Sequence, residues 1–373
     1  MFLRTEDALK LKRPLREGFD RYRKIMQPSS RIAIVGAGLS GACAAFALHR
    51  HAHVEVFEAT EAADQAFRAA GGLFHPLMTR RARPNWQHDA ALEALEQLLD
   101  AVGARVPVRR GLLRVAFTEK QAQDFREAAR TYPHFVQWLA PEAVGERFPQ
   151  VRAPYGALWI PQGGAVSAVQ LIEALLEQSG VPVHRPVRVV DWEETADEVH
   201  LHTDRGETYR FDYAILAPGS GYRAHPELAR LPFQAVKGQV ICLQRPPSLD
   251  TLPLVLANVH LAPYGDQIFV GSTYEPAFTD LAPSEAQTRW LLEEAARWVP
   301  EVSRSAVVAA LTGVRVIRPH RPLPVLSPLP GRRRLWLFSA LGSRGLLYAP
   351  LLASWLPEVL ERPERLPEAV RLD

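Results

Sequence analysis

The chain has 373 residues, 47% of them hydrophobic and 23% charged, and a formal net charge of +3. This is the composition of a globular protein large enough for two domains, and it excludes disordered, collagenous and disulfide-stapled classes. Two cysteines, Cys43 and Cys242, and no apolar run long enough for a bilayer fit a reducing, cytoplasmic setting with no membrane partner.

The first thirty residues hold eight Lys or Arg against four Asp or Glu. Residues 1–29 therefore read as a basic arm, and they lack the apolar centre of a secretory signal. The branched run Ile32–Val35 leads straight into Gly36, Ala37, Gly38, Leu39, Ser40 and Gly41. A small-residue helix follows, then a second apolar strand, Val54–Phe57, ending at the acid Glu58. Strand, glycine turn, helix and acid-terminated strand in this order make a dinucleotide site rather than a bare turn. Gly36 allows the tight turn, Gly38 admits a pyrophosphate to the backbone, and Gly41 lets the helix lie against the strand. The helix N-terminus offers free N–H groups to the phosphates, and Glu58 is placed to accept from a ribose diol.

A second glycine pair, Gly71-Gly72, lies in AAGGLFHP at 69–76. His88–Leu99 and Glu119–Trp138 have helical spacing, the latter up to a break at Pro133. The next segment begins as a strand, is expected to turn at Gly163-Gly164, and enters a helix near Ser167. VPVHRPVRVVDWEE, EVHLHTD and FDYAILAP read as strands, the last ending at Gly219. A β-rich stretch covers Phe233–Thr273, and Ser284–Val299 reads as a helix with Trp290 and Trp298 in its core face. The chain closes with a strand, the glycine turn LGSRGL at 341–346, and a helix.

Nucleotide-type α/β pieces thus stand at both ends, with material of different character between them. The expected fold is α/β: a Rossmann-type dinucleotide domain assembled from 30–84, 156–232 and 312–373. A second α+β, mostly antiparallel substrate domain is assigned to 85–155 and 233–311.

The order of these pieces resembles the glycine oxidase and D-amino-acid oxidase superfamily of FAD-dependent amine oxidoreductases. The opening glycine turn with Glu58, AILAPGS, GSTYE and the GVR at 313–315 carry that resemblance. ALGSRGLLYAPLLA, with AAGGLFHPLMTR, IPQGGAVSAVQL and KGQV, is similar to the FAD-dependent domain of the tRNA 5-methylaminomethyl-2-thiouridine biosynthesis bifunctional proteins. The resemblance covers nearly all of 31–358. It implies FAD as cofactor, held by the first glycine turn, Glu58, Gly71, Gly72, Leu73, Val189, Gly219, Gly342, Ser343, Arg344, Gly345 and Leu346.

It further implies removal of the carboxymethyl group from 5-carboxymethylaminomethyl-uridine in tRNA, with oxygen as electron acceptor. The bifunctional relatives carry a methyltransferase domain ahead of the flavin domain, and the first thirty residues leave no room for one. The expected role is therefore the oxidative step, with a separate methyltransferase acting on the product. Two departures stand out. VIRPHRPLPVLSP lacks the Asp that commonly follows the arginine there, and His260 stands where the relatives usually have Tyr.

Oxidising an amine beside a carboxylate needs a fixed cation, an acceptor near the amine and a wall against the flavin. Arg315, at the family's GxR position, is the candidate carboxylate clamp, because a planar guanidinium holds both oxygens. Arg344 sits where a helix N-terminus faces reduced-flavin charge. His260 and Tyr274 are candidate substrate contacts, although a strand histidine equally serves as a structural residue. Phe74 and His75 are placed at the pocket wall or in a plain turn, and Lys237 beside the flavin or in solvent. Metal-ligand spacings, nucleophile elbows and P-loops are missing, so no metal is expected. Basic clusters at Arg80-Arg81-Arg83, Arg109-Arg110 and Arg332-Arg333-Arg334 either grip tRNA phosphates or are scattered solvated charge. An oxidase of free glycine, sarcosine or a D-amino acid is the alternative reading, and a non-catalytic flavin-binding module is another.

Overall fold

The computed structural model describes residues 29–59, 66–69 and 71–372; the basic arm, up to residue 28, lies outside the described residues. Strand β1 (Arg31–Val35) passes through the glycine turn into helix α1 (Leu39–Leu48), and β2 (His53–Phe57) follows. Helix α1 is buried almost all round, which its Gly, Ala, Cys and Ser side chains permit. After the short β3 (Leu73–Phe74) come α2 (His88–Val102), β4 (Val108–Val115) and α3 (Glu119–Thr131). Helix α3 is N-capped by Thr118 and stops two residues before Pro133, whose ring disfavours helix in the residue ahead of it. Strand β5 (Gln137–Leu139), helix α4 (Pro141–Arg147) and the long β6 (Ala157–Val166) lead to α5 (Ala168–Ser179), N-capped by Ser167.

The strand expected through VPVHRPVRVVDWEE is split at Arg185-Pro186 into β7 (Val183–His184) and β8 (Val189–Glu194). Strands β9 (Val199–Thr203), β10 (Thr208–Phe211) and β11 (Tyr213–Leu216) precede a short helix, α6 (Pro226–Ala229). The β-rich stretch comprises β12 (Gln234–Gln244), β13 (Leu254–Leu256), β14 (His260–Tyr264) and β15 (Gln267–Gly271). Helix α7 (Glu285–Trp298), β16 (Val307–Ile317), β17 (Val325–Pro328), β18 (Leu335–Ser339) and α8 (Gly345–Val359) complete the chain.

Six strands form one sheet in the order β17-β18-β11-β1-β2-β7, parallel except at β17. Its central strands are apolar on both faces, as a sheet covered by helices requires. Helices α1, α2, α5 and α8 share one large core against this sheet, while β8–β10 form a small antiparallel sheet packed with its other face. A nine-stranded sheet runs β16-β12-β15-β14-β13-β4-β6-β3, with β5 attached to β6. Only its β13–β4 pair is parallel. The Rossmann-type sheet and the mostly antiparallel second sheet agree with the expected fold class.

Strand pairing puts Leu73–Phe74 and the end of β16, up to Ile317, in the nine-stranded sheet, although both fall in stretches assigned to the dinucleotide domain. Residues 157–166 belong to the nine-stranded sheet, and α2 packs into the core around α1 and α8. Gly163-Gly164 is strand, not a turn. A methyl group on Gly164 would come within 2.5 Å of the Phe74 ring, and one on Gly163 within 2.9 Å of Leu112 Cβ. The glycines make room for crossing side chains rather than for a reversal. Trp290 is 38% exposed and so is not a core residue, whereas Trp298 spends its indole N–H on Asn258 Oδ1 at 2.7 Å.

Candidate active site

The dinucleotide end is built by close backbone approaches. Gly36 has φ +108°, and a methyl there would meet the Ala217 carbonyl oxygen at 2.3 Å. At Gly41 a methyl would lie 1.8 Å from the Gly36 oxygen, so helix and turn touch without side chains between them. Gly38 differs: it opens α1 with no side-chain cap, and no atom lies within 4 Å of where its methyl would be. Free N–H groups thus face open space at a helix N-terminus, which suits a pyrophosphate. The Ala37 N–H donates to Glu58 Oε2 at 2.7 Å, fixing the buried carboxylate beside the turn. Leu39 reaches across to the C-terminal turn, where a methyl on Gly345 would touch it at 3.1 Å. The first turns of α1 and α8 therefore converge, and Leu346 is buried where they meet.

Around Glu58 the sequence reading missed Val187. The Val187 N–H donates to the Glu58 carbonyl at 2.9 Å, and the Glu58 N–H donates to the His184 carbonyl at 3.0 Å. Val189, two residues on, is buried in β8. Gly219 has φ +53° with open space above it, and Ser40 is buried in the first turn of α1.

At the other end, Arg315 on β16 faces Val236 on β12. Its Nη1 donates to Ser343 Oγ at 2.9 Å, and its Nη2 to Ser272 Oγ at 2.9 Å and the Thr273 carbonyl at 3.0 Å. These partners are neutral, and burial lowers its pKa while the nearby Tyr274 opposes the shift. Ser343 ties the guanidinium to the α8 turn, so the flavin-type turn and the candidate clamp form one hydrogen-bonded unit. Ser272 was not singled out by the sequence reading, although GSTYE contains it.

His260 on β14 turns its buried Nε2 towards Gly71, with no hydrogen-bond partner among the described residues. A methyl on Gly71 would lie 2.0 Å from that nitrogen, and one on Gly271 would lie 3.2 Å from His260 Cε1. Burial, with Arg315 adding repulsion, lowers the His260 pKa to about 4, so the ring is neutral at physiological pH. Gly71 and Gly72 are pinned from two sides. The Tyr264 hydroxyl donates to the Gly71 carbonyl at 3.1 Å, and a methyl on Gly72 (φ +62°) would meet the Val166 oxygen at 1.8 Å. Leu73 and Phe74 continue this wall as β3, and His75 is 2% exposed with an unpartnered Nδ1 and a pKa lowered to about 3.

Three candidates are engaged otherwise than expected. Arg344 donates from Nη1 to the Pro322 carbonyl at 2.9 Å, anchoring the preceding loop to α8. Lys237 alternates with Gly238 along β12, so it faces away from Arg315; it is buried and donates to the Ala282 carbonyl at 2.8 Å. Tyr274 is 59% exposed, at the edge of the cluster rather than within it. Groups of His, Cys, Asp or Glu able to hold a metal are absent among the described residues.

The profile of a family described as DAO, FAD dependent oxidoreductase, matches residues 31–358. The chain belongs to this family. It is 28% identical over 366 residues to the glycine oxidase of Geobacillus kaustophilus, covering 89% of this chain and 93% of that protein. It is 27% identical over 384 residues to the tRNA 5-methylaminomethyl-2-thiouridine biosynthesis bifunctional protein MnmC of Magnetococcus marinus, covering 90% of this chain. It spans only 57% of that longer relative. The crystal structure of the Geobacillus kaustophilus glycine oxidase superposes with a TM-score of 0.79, at 26% identity and over 92% of this chain and 97% of that one. As a DAO member the protein is an FAD-dependent oxidoreductase acting on C–N bonds. The uncapped α1 turn, the open space at Gly38 and the Glu58 carboxylate fit that cofactor. Among the described residues, no helix is long and apolar enough to cross a membrane.

Proposed function

We propose that this protein oxidises an N-substituted glycine, the 5-carboxymethylaminomethyl group of a tRNA uridine, leaving 5-aminomethyl-uridine and glyoxylate. The observation that carries the reading is Arg315, a guanidinium oriented by two serine hydroxyls and a carbonyl, with neutral His260 in the same wall. FAD, when bound, accepts the hydride from the carbon between nitrogen and carboxylate. Arg315 holds the carboxylate, which fixes that carbon in place. His260, being neutral, adds no second cation to the wall. The oxidised C=N bond adds water and splits into glyoxylate and the primary amine. Ser343 couples the clamp to the turn where α8 begins, so substrate and cofactor sites move together. Oxygen is the proposed electron acceptor, and a separate methyltransferase the proposed consumer of the product.

Several relatives bearing the MnmC name, at 27–29% identity, support the tRNA substrate. A second reading, oxidation of free glycine or a similar small amine, is supported by the 28% identity that runs over 93% of a glycine oxidase. Nucleoside analysis of modified tRNA incubated with the holoenzyme, with glyoxylate assayed alongside, decides between them. Loss of 5-carboxymethylaminomethyl-uridine matched by glyoxylate supports the first. Rapid turnover of free glycine with the modified uridine untouched supports the second.

A further inference from the structure

Of the three arginine clusters in the sequence, two are engaged within the molecule, among the described residues, at every guanidinium but that of the exposed Arg333. Arg109 donates to the Leu252 carbonyl, and Arg110 is paired with Glu96. Arg332 lies 3.6 Å from Glu227, and Arg334 donates to the carbonyls of Ala196 and Asp212. The third cluster is different. Arg80, Arg81 and Arg83 are exposed, and no hydrogen bond or ion pair takes up their guanidinium groups among the described residues.

The loop that carries them is nonetheless built rigidly. The Asn85 N–H donates to the Pro76 carbonyl at 3.0 Å, closing its base, and the Ala82 N–H donates to the Thr79 carbonyl at 2.9 Å. Thr79 Oγ1 accepts from the Arg83 N–H at 2.8 Å, and Gln121 on α3 reaches the Arg80 carbonyl at 3.3 Å. From below, the buried Arg114 on β4 donates one N–H each to the carbonyls of Leu77 and Thr79, both at 2.6 Å. No acid neutralises Arg114 among the described residues. A buried guanidinium is costly to install, and here its hydrogen bonds go to holding this loop.

The loop also starts at the active site. Gly71-Gly72, against His260 and Tyr264, leads through β3 into Pro76. At most about 3.6 Å per residue separates consecutive positions of a chain, so Arg80 lies within roughly 30 Å and Arg83 within roughly 40 Å of the Gly72 backbone. That is the reach of a few nucleotides on either side of a base held in the site.

We propose that Thr79–Arg83 is a phosphate-gripping rim for the RNA substrate: Arg80, Arg81 and Arg83 take backbone phosphates, and Arg114 is a positioning residue that presents them. The proposal rests on the tRNA reading above and adds the surface that would hold the tRNA body while its modified base enters. Arginine suits the task because its planar donors pair with phosphate oxygens, and each contact releases counterions.

The test compares the holoenzyme with Arg80→Ser/Arg81→Ser/Arg83→Ser and with a charge-matched control, Arg230→Ser/Arg289→Ser/Arg304→Ser, at exposed arginines elsewhere. Binding of an unmodified tRNA transcript is measured across a salt series. The rim variant is expected to lower the slope of log affinity against log salt by about two to three, at about 0.7–0.9 per phosphate contact, and the control to leave it in place. In turnover the rim variant is expected to raise KM for modified tRNA with kcat and flavin content unchanged. An unchanged slope, an equal drop in the control, or binding of phosphatidylglycerol vesicles in place of the transcript overturns the rim. A tRNA that binds through the rim while its modified uridine stays intact overturns the tRNA reaction instead.

Discussion

The Arg315 guanidinium lies directly over Gly238: a methyl group on that glycine would come within 2.3 Å of Nη2. Strand β12 therefore gives up a side chain so that the guanidinium can reach Ser272 and the Thr273 carbonyl. Gly238→Ala is expected to displace the clamp and lower kcat/KM by roughly 10- to 100-fold with flavin content unchanged. Arg315→Lys, which loses the bidentate fork, is expected to cost about 2–5 kcal/mol in the same quantity. Anaerobic flavin reduction at low substrate reads both; wild-type rates in either variant would move the carboxylate to another residue.

Two glycines of one turn should fail in opposite ways. A methyl at Gly38 has open space, so Gly38→Val should fold with near-normal stability and come out colourless, its side chain standing where the pyrophosphate is proposed to approach. Gly41→Ala drives a methyl to 1.8 Å from the Gly36 oxygen, so it should fail in folding before cofactor binding is at issue. Visible flavin absorbance and far-UV circular dichroism separate the outcomes, and a yellow Gly38→Val protein contradicts the placement.

Acid should destabilise the protein through its buried neutral histidines. His75 and His260 have folded pKa values lowered to about 3 and about 4, against about 6.5 in the unfolded chain. Below pH 6.5 the unfolded state binds protons that the folded state refuses, so their stability contribution is whole above that pH and is lost as pH falls towards 4. Each group contributes about 1–2 kcal/mol of loss by pH 5. Urea unfolding at pH 7 and pH 5 measures this, and His75→Gln should show a smaller difference between the two; an equal difference would assign the acid sensitivity elsewhere.

Gly164→Ala tests the straight course of β6. In a turn the change would be cheap; against the Phe74 ring at 2.5 Å it should destabilise by about 1–3 kcal/mol. A variant as stable as the parent in thermal unfolding would refute the crowding.

The dinucleotide end was legible because its chemistry is local. Gly36 and Gly41 are close backbone approaches within one turn, and Glu58 stands at the end of the adjoining strand, all within a short window of sequence. The clamp was legible as a residue but not as a cluster, since Ser272 and Ser343 come from segments 43 and 28 positions away. Lys237 could be placed only once the alternation of β12 was fixed by its register with β16. Gly163-Gly164 was misread because a glycine pair signals a turn and a close crossing alike, and only the packing of Phe74 tells them apart. Which arginines are free was likewise invisible, because their acid partners lie far away in sequence: Glu96 for Arg110 and Glu227 for Arg332.

The parallel sheet joins β1, from the beginning of the chain, to β18, near its end, with β11 between them. During synthesis the glycine turn leaves the ribosome long before the strand and helix that pack beside it. Until Leu335–Ser339 are made, β11 presents an open apolar edge of the kind that recruits other chains. A message cut short before that point would thus yield an aggregation-prone product rather than a smaller enzyme.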